Sequence, residues 1–135
     1  MAENIKLEVV TPEKSVVSES AQIVMAPGIL GEFGVLSGHT PFLTTLKTGA
    51  LKYKDESGSE RFVFVSSGFA EALPDRVTVL AESAERRKDI DVERAKSAAQ
   101  RAEERIQSGG KDLDPDRAKA ALLRAISRLQ LVETR

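Results

Sequence analysis

Near residue 85 the apolar residues of this chain change their period, and that change restricts it to one kind of architecture. Before it, Ile5-Lys6-Leu7-Glu8-Val9 and Arg76-Val77-Thr78-Val79 alternate apolar with polar, and Phe62-Val63-Phe64-Val65 is a short continuous β-type run. Alternation sends successive side chains to opposite faces, so each segment reads as a strand with one face toward a core. Turn signals separate the segments: Thr11-Pro12, Ala26-Pro27-Gly28, Gly31, Gly34, Ser37-Gly38, Thr48-Gly49, Asp55-Glu56-Ser57-Gly58, Ser67-Gly68 and Pro74-Asp75. This spacing predicts seven or more short strands in an antiparallel sandwich or barrel, with Lys54 to Glu60 as a hairpin tip.

After residue 85 glycine occurs only at Gly109 and Gly110, proline only at Pro115, and alanine becomes frequent. The local preference is now helical. Val92, Ala95, Ala99, Ala102 and Ile106 recur at alternating helical spacings, and so do Ala118, Leu122, Ala125, Leu129 and Val132. Two such seams joined through Ser108-Gly109-Gly110 predict an antiparallel helical hairpin whose alanines let the axes approach closely. Each methyl group in the seam contributes about 1 kcal/mol or less, so the hairpin is expected to dock weakly and to move. The fold class is α+β: an N-terminal antiparallel β-sandwich over residues 1–85, then a C-terminal α-helical hairpin over residues 86–135.

The stretch Asp89–Lys96, DIDVERAK, returns as Asp112–Lys119, DLDPDRAK. Both copies stand where a helix begins. Asp114 followed by Pro115 has the form of an N-cap with proline at the first helical position, and Asp91 can cap the earlier helix. A helix start also offers free N–H groups and a positive dipole end to an anion, so a cap and a ligand site are both open at Asp91.

Composition excludes several kinds of chemistry. With aromatics at 4% and Trp 0 there is little material for base-stacking platforms, so no nucleic-acid partner is expected. Cys 0 removes disulfides, thiolate metal sites and cysteine nucleophiles. MAENIKLEVV lacks the basic and apolar regions of a signal peptide, and no apolar run approaches the roughly 18 residues of a membrane span. A soluble, unexported chain is expected. Charge is divided unevenly, −5 over residues 1–85 and +4 over residues 86–135, which favours an acidic partner for the tail.

Five pieces occur in order: Gly31-Glu32-Phe33-Gly34, Gly38-His39-Thr40-Pro41-Phe42, Ser67-Gly68-Phe69-Ala70-Glu71, Val77-Thr78-Val79-Leu80-Ala81, and a DIDxxRA helix with a second RA-rich helix after it. Together they resemble the epsilon subunit of bacterial and chloroplast rotary ATP synthases over nearly the whole chain. The resemblance implies a ten-stranded β-sandwich seated on the gamma subunit and the c-subunit ring, as part of the rotor's central stalk. It also implies a hairpin that either folds onto the sandwich or extends along the stalk, there to meet the catalytic beta subunits and block ATP hydrolysis. The chain would then be a non-catalytic subunit, peripheral on the cytoplasmic face of the bacterial inner membrane and bound to the membrane only through the complex.

Under the same resemblance, Glu32 in GEFG is the residue expected at the c ring, and the loop carrying His39 lies toward that end. His39 also invites a catalytic role as the only histidine, but GHTPF supplies neither nucleophile nor orienting partner, and a loop-fixing hydrogen bond is the expected use. In some members an I/L-D-x-x-R-A signature holds ATP as a regulator. Ile90, Asp91, Arg94 and Ala95 match it, with Glu85, Arg101, Arg124 and Arg128 at the corresponding positions. Asp91 can accept from the adenine amino group and Ile90 can cover the ring, while guanidinium groups neutralise the phosphates. No cofactor is required and no GxxxxGK[ST] loop is present for hydrolysis, so ATP enters as a regulatory ligand only. Arg94 and Arg101 share a helix face that points away from the seam, so their convergence with Arg124 and Arg128 is not forced. A stand-alone helical-hairpin adaptor and an independent small enzyme are the alternative readings.

Overall fold

The computed structural model describes residues 3–134, and the chain divides into two compact units, one ending at Arg86 and the other beginning at Arg87. The first holds seven strands: β1 (Ile5–Val10), β2 (Ser15–Gly28), β3 (Gly31–Val35), β4 (Phe42–Leu46), β5 (Gly49–Asp55), β6 (Glu60–Leu73) and β7 (Arg76–Arg86). Three of them are long, with 14 residues in β2, 14 in β6 and 11 in β7. Each long strand changes partners along its length. The first half of β2 pairs with β1 and the second half with β3 and β5. The first half of β6 pairs with β5, the second with β4, and β7 follows it throughout. Strands shared in this way between two layers reconcile the seven observed with the ten implied by the resemblance.

One ladder departs from the antiparallel expectation: β1 pairs in parallel with β7, Lys6 opposite Arg76 and Val10 opposite Leu80, while pairing antiparallel with β2 on its other side. The first strand thereby lies between the second and the last and closes the sheet. Alternation within a segment fixes its phase but carries no information about a partner some 70 residues away. The enclosed core takes alternate residues from each strand, as in Ile5, Leu7 and Val9 of β1 and Val77, Val79 and Ala81 of β7. In the apolar run Phe62–Val65, Val63 and Val65 face this core, and Phe64 on the other face is buried too.

Two local devices shape the sandwich. Ser67 takes a positive φ of 55°, and a Cβ on Gly68 would stand 2.1 Å from the Leu80 carbonyl oxygen, so only glycine lets β6 approach β7 there. At the Lys54–Glu60 tip, Asp55 accepts from the Ser57 hydroxyl at 2.6 Å, the Ser57 and Ser59 N–H groups at 3.0 Å, and Arg61 Nε at 3.0 Å. The Ser57 hydrogen bond and these further donors hold its carboxyl at about 2.

A polar cluster closes the end of the first unit. Buried Tyr53 donates to Glu19, and Arg86 donates to the Tyr53 hydroxyl at 3.0 Å and to the Val16 carbonyl at 3.2 Å. Burial first, then the bond to Glu19, push the Tyr53 phenol up to about 12 against the opposing pull of Arg86.

The second unit is a 3₁₀ turn, Arg87–Asp89, followed by α1 (Val92–Ser108) and α2 (Pro115–Glu133). Asp91 caps α1, accepting from the Arg94 N–H at 3.0 Å. Asp114 caps α2, accepting from the N–H groups of Asp116 at 3.1 Å and Arg117 at 3.2 Å, with Pro115 in the first turn. Gly109, at φ 50°, ends α1 by donating to the Arg105 carbonyl at 3.2 Å. The seam is that of the sequence pattern, with Ala95, Ala102, Ala118 and Ala125 fully buried; Leu131, outside the pattern, is buried as well. Arg87 donates to the Thr134 carbonyl at 2.7 Å and ties the start of this unit to its end.

Candidate functional site

On the sandwich, the apolar residues that fail to reach the core are more informative than those that do. Across one layer Val10, Leu80, Phe69 and Thr45 stand directly opposite one another on β1, β7, β6 and β4, so their side chains share a face. That face is the outer one, since Val9, Val79 and Ala70 point to the core. Phe69 is 46% exposed, Leu80 43%, and Leu43, two residues before Thr45, 67%. The β2–β3 turn adds Ile29 at 60% and Leu30 at 98%, joined to this edge by the Ile29 N–H donating to the Thr45 carbonyl at 2.9 Å. Exposed apolar side chains gathered on one outer face in this way mark a place for a partner. Nothing in the strand alternation singled it out, although large apolar residues at outward positions, as in Val79-Leu80-Ala81, were a usable signal.

Glu32 lies exposed on β3, opposite Pro27 and beside that turn. His39 sits half-buried in the loop between β3 and β4, where its Nδ1–H donates to the Thr40 carbonyl at 2.7 Å. The ring meets Phe42 edge-on at 5.1 Å, and Phe42 meets Phe33 in the same manner at 5.1 Å. The aromatic chain Phe33–Phe42–His39 therefore links the strand of Glu32 with the loop of His39. The histidine fixes its loop as the sequence led us to expect, and among the described residues no group of three His, Asp or Glu could hold a metal.

The residues expected around ATP are spread over both units. Glu85 belongs to β7 and is half-buried. In the hairpin Ile90 and Ala95 are buried, Asp91 is exposed and engaged as a cap, and Arg94 and Arg101 are exposed on α1. Arg124 and Arg128, on α2, are half-buried. Only Arg124 of this set lines the cavity at the loop end of the hairpin, where it is joined by Arg105 and Arg117. The second copy of the repeat lines the same cavity through Asp112, Leu113 and Asp114. Sequence spacing did not identify Arg105 or Arg117, because their convergence depends on the path of the connecting loop.

Two family models cover almost all of the chain. The ATP synthase delta/epsilon chain β-sandwich domain matches residues 4–87, and the delta/epsilon chain long α-helix domain matches residues 88–133. The ATP synthase epsilon chain of Desulforapulum autotrophicum is 66% identical over 135 residues, covering 100% of both chains. That of Desulfosudis oleivorans is 69% identical over 109 residues, covering 81% of this chain and 82% of the relative. Among solved structures, a chain of the Euglena gracilis mitochondrial ATP synthase (OSCP/F1/c-ring) superposes with a TM-score of 0.81 at 23% identity, covering 97% of this chain and 82% of its own. A chain of the Tetrahymena thermophila mitochondrial ATP synthase central stalk and c ring gives 0.57 at 18% identity, covering 98% and 96%. These two likenesses concern the fold.

Proposed function

Because the chain belongs to the family of ATP synthase epsilon chains, we propose that it serves the rotor as a non-catalytic central-stalk subunit, its sandwich seated on the gamma subunit and the c ring. The carrying observation is the apolar outer face of Leu43, Phe69 and Leu80 with the Ile29–Leu30 turn. Gamma is the proposed occupant of the apolar face, and exposed Glu32, beside the turn, is the proposed carboxylate for a basic loop of the c ring. His39 supports that end by fixing its loop. No helix among the described residues is long and apolar enough to cross a membrane, so the proposed place at the cytoplasmic face of the bacterial membrane is reached through the complex.

The hairpin is the proposed regulatory part, inhibiting ATP hydrolysis when extended toward the catalytic beta subunits. Support comes from its thin alanine seam and from the +4 charge of residues 86–135, suited to acidic partner loops. Regulatory ATP is proposed at the start of α1, with Asp91 and Ile90 toward the base and Arg94, Arg101, Arg124 and Arg128 toward the phosphates. Ala95 completes that set.

Reconstitution tests the reading. Added to a catalytic head lacking it, the full chain should lower the ATPase rate, and a chain truncated after Lys88 should still assemble without lowering it. If the truncated chain inhibits equally, the hairpin is not the inhibitory part; if neither chain assembles, the rotor assignment fails.

A further inference from the structure

The two helices of the second unit are joined covalently at one end only, through the loop that follows α1. At the opposite end no chain connects the start of the unit to the last turn of α2. A charge-assisted hydrogen bond runs there instead: Arg87 Nη1 donates to the Thr134 carbonyl at 2.7 Å, across 47 residues of sequence.

The chemistry of α2 explains why a cation belongs at that place. A helix carries a partial negative charge at its C-terminal end, where the last carbonyls have no partner within the helix. The last turn of α2 holds no basic residue of its own. Thr134 serves two nearby carbonyls, its N–H donating to Leu131 at 3.2 Å and its hydroxyl to Gln130 at 3.0 Å. Arg87 then satisfies the carbonyl of Thr134 itself. The 3₁₀ turn that carries Arg87 packs against α2, and Leu131, in the last turn, is buried. The preceding residue is committed elsewhere, since Arg86 donates to Tyr53 and Val16 within the sandwich. Adjacent guanidinium groups are thus anchored in different units, and the Arg87 bond can be lost without disturbing the Tyr53 cluster.

Peeling α2 from α1 begins at the unjoined end, because the connecting loop holds the other and helix ends are the first parts to open. The alanine seam offers little resistance beyond that point. We propose that Arg87 is the latch of the hairpin: its bond to the end of α2 sets how often the two helices part, and α2 separates only after that bond breaks. The latch is a property of the chain alone; its effect on ATP hydrolysis rests on the proposed inhibitory role of the hairpin.

Hydrogen–deuterium exchange of the full chain, read at the amides of α2 and of β6, tests this. Arg87→Gln should speed exchange in the last two turns of α2 about fivefold, as expected for one lost charge-assisted hydrogen bond, with β6 unchanged. Arg87→Lys keeps a cation at the helix end without the planar fork, so its effect should fall between. Lys88→Gln removes the same charge from the next, exposed residue and should change nothing. A chain ending at Glu133 lacks the acceptor, and there Arg87→Gln should add no further acceleration. In the reconstituted catalytic head, Arg87→Gln should inhibit ATP hydrolysis more strongly than wild type. Faster exchange with unchanged inhibition supports the latch and counts against the inhibitory role of the hairpin. Exchange in α2 unaltered by Arg87→Gln overturns the latch, as does equal acceleration by Lys88→Gln, or by Arg87→Gln with and without Thr134.

Discussion

At the scale of single residues, Tyr53 offers the most direct measurement, because it is the only tyrosine and there is no tryptophan. Its phenol is held up to about 12 by burial and by Glu19. Absorbance at 295 nm during alkaline titration should therefore show a midpoint near 12, and a midpoint near 10 would mean the cluster is open in solution. The stability consequence has a definite sign. A group whose folded pKa is raised contributes fully below its unfolded value of 10 and loses that contribution as pH climbs toward 12.

The paired caps separate structural from ligand chemistry at the same scale. Asp114→Ala removes an acceptor from two N–H groups and Asp91→Ala from one, so each should cost about 0.5 to 2 kcal/mol in thermal or denaturant unfolding. Asparagine caps about as well as aspartate. Asp91→Asn should therefore preserve the helix while weakening ATP binding about tenfold, if that carboxylate accepts from adenine. Equal ATP affinities for Asp91→Asn and Asp114→Asn would reduce both copies to caps. Both caps were legible in the sequence because capping depends on local residues alone. The convergence of Arg105, Arg117 and Arg124 was not, because it depends on the loop that returns α2 beside α1.

At the scale of elements, the period of the apolar residues carried most of the information. The helical seam was readable from Val92 to Val132, and the strand phases from Ile5 to Val79, since both are local patterns. Long-range relations were not readable: the parallel β1–β7 ladder, the sharing of β2, β6 and β7 between layers, and Leu131 outside the seam. The last strand runs through Arg86, whose guanidinium joins Tyr53 and Val16. A chain truncated after Lys88 keeps that cluster and should fold, with β-type circular dichroism and a cooperative unfolding transition. Truncation after Ala84 removes Arg86 and should lower stability measurably relative to it. Unfolding of both truncated chains would show that the sandwich depends on the hairpin.

At the scale of the whole molecule, the proposed function divides the work between the surfaces of the two units. The sandwich offers an apolar face and an exposed carboxylate; the hairpin offers arginines and a thin seam. The sandwich's exposed apolar face was the least legible part of the candidate site, because alternation identifies which residues point outward and not whether the outward face stays open. The account stands or falls on that face docking gamma. The most direct measurement is the affinity of the purified chain for gamma, by titration calorimetry, for wild type, Phe69→Asp, and Lys54→Asp as a control on an exposed strand position elsewhere. An exposed aromatic side chain that docking would bury, replaced by a charge, should cost about 100-fold or more in affinity, with Lys54→Asp unchanged. Wild-type affinity in a folded Phe69→Asp chain would contradict the account.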